Sequence, residues 1–352
     1  MSKKYSNNQI KKAGKILVYQ EKYNSIDIEF AQDVLTYWRT IHAVPINTFQ
    51  ATLRDKINRL NFKDAIIAQR LKRAFSIISK LRRFRSMKMS TMQDIAGLRA
   101  ILKNLEQVRQ LEESYRLSSF KHILIDSKDY ISTPADSGYR GIHLIYQYST
   151  NNLIESDGLK IELQIRTKLQ HIWATAVETM GAFLDTPLKS SIGPADWLEY
   201  FKLVSTGFCI LEDSPRLSQY DSMSERDIFN EIVIKSIKLE VSAKLRGFTT
   251  AAEHIIQSKI NYKYSLITLN LEKKTVNVKS YPANQLEKAN VDYTNIEKLI
   301  NRGAKLQSVL VSTNSIGSLR KAYPSYFLDS KEFLGKLNLI YKKLKEIEDN
   351  HV

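Results

Sequence analysis

The chain has 352 residues, 53 Lys/Arg against 37 Asp/Glu, a formal net charge of +16 and 43% hydrophobic residues. That is long enough for two or three domains with their own cores and apolar enough for a globular chain. The single cysteine, Cys209, excludes a disulfide framework and a Cys-based zinc site, and no apolar stretch approaches the roughly 18 residues of a membrane span, so a cytoplasmic protein with no membrane partner is expected.

Charge is uneven along the chain: residues 1–100 hold 20 Lys/Arg against 7 Asp/Glu, whereas residues 101–200 hold 10 against 13. A basic N-terminal third draws in polyphosphates or nucleic acid by its field alone. Residues 1–62 read as a helical cap, with Leu35, Trp38 and Ile41, then Leu53, Ile57 and Leu60, at helix spacing. Periodicity alone favours one long helix from Asp64. Arg70-Leu71-Lys72-Arg73-Ala74-Phe75-Ser76-Ile77-Ile78-Ser79-Lys80 follows, and Arg82, Arg83, Arg85 and Lys88 extend its positive charge. Lys11, Lys12 and Lys15, taken singly, read as solvated helix faces, whereas the denser cluster of Lys80, Arg82, Arg83, Arg85 and Lys88 reads equally well as solvated or functional.

Between residues 63 and 186, strand-like runs (100–102, 122–125, 142–148, 160–165) alternate with helical ones, which predicts a mixed sheet with helices. Asp94-Ile95-Ala96-Gly97-Leu98-Arg99 opens one strand, and Ser137-Gly138-Tyr139-Arg140-Gly141-Ile142-His143 leads from a Pro- and Gly-containing loop into another. In Ile161-Glu162-Leu163-Gln164-Ile165-Arg166, strict alternation puts an acid, an amide and a guanidinium on one face. Alone, that run reads equally well as the wet side of an edge strand. The helix after Thr167 carries the apolar stripe Leu169, Ile172, Trp173, Ala176, Val177 and Met180, with His171, Thr175 and Glu178 recurring on another face. Residues 187–260 read as a helical extension. Residues 261–352 change to a hairpin around 272–274, a helix over 283–301, a strand near 306–312 and closing helices, which reads as a separate small α/β domain.

Four elements in one order, R-x-K-x3-S-I-x2-K, D-I-x-G-x-R, G-Y-R-x-I-H and E-x-Q-I-R-T, make the segment from Asp64 to Gly181 resemble the RelA/SpoT synthetase family. The resemblance implies an α+β fold: a mixed-sheet, nucleotidyltransferase-like synthetase core flanked by helices, with residues 65–72 extended instead of helical. It also implies an ATP-dependent pyrophosphokinase that uses Mg2+. In that reading Asp94 and Glu162 are the metal-binding carboxylates, and Glu162 also activates the attacking 3'-hydroxyl. Arg70, Lys72, Ser76, Lys80 and Arg99 bind ATP, the two arginines sandwiching adenine. Tyr139, Arg140, His143, Gln164, Arg166 and His171 face the acceptor.

Two positions depart from the family pattern. Ala135 stands where many alarmone synthetases have a phosphate-holding lysine, and Gly141 replaces the usual serine after Tyr-Arg. No histidine precedes an aspartate, so the His-Asp signature of the companion hydrolase domain is missing. The expected acceptor is accordingly the 3' end of tRNA, as in the toxic branch of the family, with GDP or GTP as the alternative and an inactive nucleotide-binding sensor as a further one. Tyr323-Pro324-Ser325-Tyr326 resembles an element with which fused antitoxin domains occupy the adenine site, so Tyr323 and Tyr326 are candidate autoinhibitory residues, relieved by a protein trigger in phage defence.

Overall fold

The computed structural model describes residues 4–150, 155–184, 186–245, 263–270, 272–273, 275–312 and 330–349. Three helices, α1 (Asn7–Val18), α2 (Ser25–Ile41) and α3 (Ala43–Arg59), form the N-terminal layer. Ser6 closes a capping box with Gln9 at the start of α1, and Asn24 caps α2 through the amide of Asp27.

Strand β1 (Ile66–Leu71) and helix α4 (Ala74–Arg83) come next, then β2 (Ala96–Leu102), α5 (Leu105–Arg116), β3 (Ile123–Asp129), β4 (Ile142–Gln147), β5 (Lys160–Thr167) and α6 (Lys168–Phe183). The strand implied by the resemblance therefore replaces the long helix that periodicity favours from Asp64. Its physical reason is pairing: the edge of β1 takes β2 from Ile66↔Ile101 to Leu71↔Ala96, and inter-strand hydrogen bonds override a weak local preference.

The chain continues through α7 (Ala195–Leu211) and α8 (Glu225–Lys238), then β6 (Tyr264–Asn270), β7 (Thr275–Tyr281), α9 (Leu286–Asn301), β8 (Leu306–Ser312) and α10 (Lys331–Asp349). All eight strands form one mixed sheet in the order β3-β4-β5-β2-β1-β8-β6-β7, with β2 and β5 parallel and the other pairings antiparallel. The C-terminal hairpin and strand, expected as a separate unit, join the second edge of β1 through Gln69↔Ser312 and Arg70↔Val311. The change of sequence character near residue 260 thus does not mark a break in the sheet.

Cross-strand partners share a face. Leu98, Ala100, Ile161, Leu163, Ile165, Ile142 and Leu144 point to a dry side covered by Phe49 and Leu53 of α3 and Val108 and Leu111 of α5. The opposite face carries Arg70, Arg99, His143, Glu162, Gln164 and Arg166. A second core joins α6, α7 and α8 to α10, whose Phe333, Leu337, Ile340 and Leu344 are buried there. Among the described residues, no helix is long and apolar enough to cross a membrane.

Because Ile340 is fully buried among these helices, Ile340→Ala is expected to destabilise the protein by about 2–5 kcal/mol, read from the shift in urea midpoint. A change below about 0.5 kcal/mol would show that α10 is not part of this core.

Candidate active site

Residues from β1, α4, β2, β4 and β5 meet over the polar face of the sheet. Asp94, just before β2, lies 2.7 Å from Lys72 Nζ and 3.0 Å from Lys80 Nζ, both on Oδ2. Lys72 leaves the end of β1 and Lys80 comes from the last turn of α4, so one carboxylate ties the strand to the helix. Burial pushes the Asp94 pKa up, but the two ammonium groups overcome this and hold it below the usual carboxylate range. Burial also lowers the pKa of Lys72, with Asp94 pulling the other way. Asp94 Oδ1 is buried and accepts no hydrogen bond.

The second carboxylate is fully engaged. Glu162 Oε1 lies 2.8 Å from His143 Nδ1, and Gln164 Nε2 donates to Glu162 Oε2 at 2.7 Å. Arg166 Nη2 in turn donates to Gln164 Oε1 at 2.6 Å. His143 Nε2 and the Tyr139 hydroxyl are 2.5 Å apart; with the ring proton on Nδ1 toward Glu162, Nε2 accepts from the hydroxyl. Burial raises the Glu162 pKa, but His143 and Gln164 outweigh it and drive the value far below the ordinary range.

Tyr139 belongs to a loop that is pinned at both ends. Asp129 at the end of β3 accepts from the amides of Ile131 and Ser132, from the Ser132 hydroxyl and from Arg109. Burial works against its charge, yet these bonds draw its pKa from 3.8 down to about 2. At the other end, Ser205 of α7 donates to the Gly138 carbonyl at 2.5 Å. The Arg166 guanidinium lies 4.9 Å from the centre of the Tyr139 ring. Gly141 is required here: its φ is +148°, and a Cβ would stand 3.1 Å from Arg166 Cγ and 3.2 Å from the Tyr139 hydroxyl. Ala135, the other departure, only closes the loop: its amide bonds the Tyr139 carbonyl and its carbonyl accepts from Gly138.

Arg70 and Arg99 lie diagonally across β1 and β2, with Gly97 opposite Arg70. A Cβ at Gly97 would meet only the Arg70 carbonyl, at 3.8 Å. Ser76 is half-buried on the first turn of α4. His171 is buried in α6, on the face it shares with Glu178. Arg140, expected beside the acceptor, points away: its guanidinium is 2% exposed, pairs with Glu212 at 2.8 Å and bonds Ser214. Thr167 Oγ1 donates to the same Glu212, so Arg140 ties the acceptor loop to the end of α7.

Sequence reasoning missed Lys189. It follows α6 in a turn that folds back where the Thr186 carbonyl would lie 2.8 Å from a Cβ at Gly181, an approach only glycine permits. Lys189 Nζ reaches Glu178 at 2.5 Å. Lys189, Arg70 and Arg99 all act on the charge of Glu178 and hold its pKa down against burial, so this pair belongs to the same electrostatic cluster. No periodicity marks it, because its placement depends on how the turn folds back.

The donor set fits magnesium. Asp94 presents an unused buried oxygen, and Glu162 is close enough to influence the Asp94 charge. Among the described residues no group of three or more Asp, Glu, His or Cys side chains is placed to hold a metal. Magnesium commonly takes one or two carboxylates and completes its shell with water and substrate phosphates.

Residues 69–181 match the family described as "Region found in RelA / SpoT proteins". The chain is 33% identical over 112 residues to the GTP pyrophosphokinase YjbM of Bacillus subtilis, covering 31% of this chain and 52% of that protein. It is 33% identical over 118 residues to the GTP pyrophosphokinase YwaC of the same organism, covering 30% and 52%. The chain thus spans about half the length of the curated relatives it matches. Among solved structures, small alarmone synthetase 1 from Bacillus subtilis bound to its product pppGpp aligns with a TM-score of 0.43 at 23% identity, covering 49% of this chain and 89% of that one.

Asp94→Asn and Glu162→Gln each remove a charge with little change of size, and each is expected to cut phosphoryl-group transfer at least about a hundredfold while the fold persists. Circular dichroism and initial rates check this together; near wild-type turnover in a folded variant would remove that carboxylate from the site.

Proposed function

With residues 69–181 forming a RelA/SpoT region, we propose that this protein is a pyrophosphokinase that transfers the β,γ-pyrophosphoryl group of ATP to a ribose 3'-hydroxyl. The observation that carries this reading is the Lys72–Asp94–Lys80 cluster standing on the same sheet face as the Tyr139–His143–Glu162 chain. In the transfer, the bond between the α-phosphorus and the bridging oxygen to the β-phosphorus stays with AMP, the β-phosphorus to bridging-oxygen bond breaks, and a bond from the 3'-oxygen to the β-phosphorus forms. Lys72 and Lys80 turn from Asp94 to the phosphates. Asp94 and Glu162 are the residues that would hold magnesium, and the ion when bound would supply positive charge to the phosphates. Arg70 and Arg99 take adenine over Gly97. Glu162 accepts a hydrogen bond from the attacking hydroxyl and orients it, His143 and Gln164 keep that carboxylate in place, and Tyr139 with Arg166 borders the acceptor. The acceptor's proton leaves to solvent as the new bond completes.

For the acceptor, the reading adopted here is the 3' end of tRNA. It is supported by the absence of a cation at Ala135 and by Arg82, Arg83, Arg85 and Lys88, all exposed beyond the ATP-facing turn of α4. The names of the relatives, GTP pyrophosphokinases, favour GDP or GTP as the second reading. Incubation with ATP labelled in the γ-phosphate and either GDP, GTP or total tRNA separates the two, because the label follows the transferred group. Label in tRNA supports the first reading, label in guanine nucleotide the second, and label in neither overturns the pyrophosphokinase assignment.

Tyr323 and Tyr326 lie outside the described residues, and their proposed autoinhibition rests on the sequence. Truncation before Asn261 would strip β8 from β1 and α10 from its core, so point changes are the informative test. Tyr323→Ala combined with Tyr326→Ala is expected to unmask growth inhibition that Glu162→Gln abolishes. A soluble double variant that is no more active than the parent would sink the idea.

A further inference from the structure

The turn joining β1 to α4 is held from outside the RelA/SpoT region. Glu297 of α9 is 6% exposed. Its Oε1 accepts from the Ala74 amide at 2.8 Å and from the Tyr293 hydroxyl at 2.6 Å, and its Oε2 pairs with Arg39 Nη1 at 3.0 Å. Arg39 of α2, itself 6% exposed, donates from Nε to the Lys72 carbonyl at 3.0 Å and lies 4.6 Å from the centre of the Tyr293 ring.

The two main-chain atoms taken by this ion pair, Lys72 O and Ala74 N, flank Arg73. Lys72 leaves the strand on one side of that residue, and α4 carries Ser76 and Lys80 away on the other. The N-cap Arg73 supplies no side-chain hydrogen bond to its own helix, so a carboxylate from more than two hundred residues away fills that role, where the helix dipole favours negative charge. The Glu297 carboxylate thus already occupies the Ala74 amide at the first turn of α4.

We propose that Glu297, through its pair with Arg39, is a positioning residue for ATP: it sets the angle between β1 and α4 at which Lys72, Ser76 and Lys80 converge on the phosphates. This rests on the pyrophosphokinase reading and extends the ATP site into the C-terminal segment. The charge pair, and not the mere bulk of α9, is what the proposal requires.

The test uses the full-length chain and magnesium–ATP without acceptor, titrated calorimetrically, followed by steady-state rates. Wild type must bind ATP; failure there would overturn the functional reading before any variant is compared. Glu297→Gln keeps the size and an oxygen for the Ala74 amide but leaves Arg39 without its counter-charge. The expected result is ATP binding weakened by about tenfold, with KM for ATP raised to match and KM for the acceptor within about twofold. ATP affinity equal to wild type in the folded variant, or a parallel rise in both KM values, would overturn the proposal. Should Glu297→Gln not fold, Arg39→Lys keeps the positive charge but loses the guanidinium fork that bonds Glu297 and the Lys72 carbonyl at once. It is then expected to weaken ATP binding by about threefold with acceptor KM unchanged, and an unchanged ATP affinity would count against the proposal equally.

Discussion

Two carboxylates grip the segment from Lys72 to Lys80 from opposite sides. Asp94 takes the ammonium groups of Lys72 and Lys80, while Glu297 takes the Ala74 amide and the Arg39 guanidinium that holds the Lys72 carbonyl. Side chains are fixed by the first and backbone by the second. Lys72 and Lys80 brought this close repel each other, and burial of Lys72 adds a desolvation penalty. Asp94 offsets both for the two lysines, while Arg39, Tyr293 and the Ala74 amide offset the burial of Glu297. A buried pair such as Arg39 with Glu297 is a modest source of net stability, yet removing one partner costs about 3–5 kcal/mol because the other charge is stranded. Its value lies in the geometry it enforces.

That grip also explains why the C-terminal third is integral to the fold. Strand β1 has two edges, β2 takes one and β8 takes the other, so the donor strand lies inside an eight-stranded sheet. An exposed edge beside a cluster of arginines and lysines would offer unpaired amides to other chains. Covering it with β8 brings α9, and with it Glu297, against the N-terminus of α4. Farther along, α10 returns to the core of α6, α7 and α8, so the helices that support the acceptor loop depend on the last described residues of the chain.

The Tyr139 side of the polar face is organised mainly by hydrogen bonds. Asp129 and Ser205 fix the two ends of the loop, and hydrogen bonds run from Tyr139 through His143, Glu162 and Gln164 to Arg166, whose buried Nε has no hydrogen-bond partner. The bonds that are made restrict how these side chains move relative to one another. The bonds from His143 and Gln164 also favour the charged form of Glu162.

Alternation in residues 161–166, the order of the four sequence elements and the helical N-terminal layer were all legible from the residues, because strand and helix periodicities are local and one face must avoid water. The same alternation placed Glu162, Gln164 and Arg166 together, and the RelA/SpoT resemblance added Asp94, Lys72, Lys80, His143 and Tyr139, which the structure brings to that face. What local pattern could not reveal was partner choice. Residues 66–71 are extended because β2 and β8 flank them, Arg140 turns inward because Glu212 waits at the end of α7, Lys189 reaches Glu178 because the turn folds onto Gly181, and Glu297 meets Ala74 across more than two hundred residues. Each of these is a contact between segments distant in sequence, decided by which surfaces the sheet brings together and by the need to pair buried charge, and neither is written in the spacing of neighbouring residues.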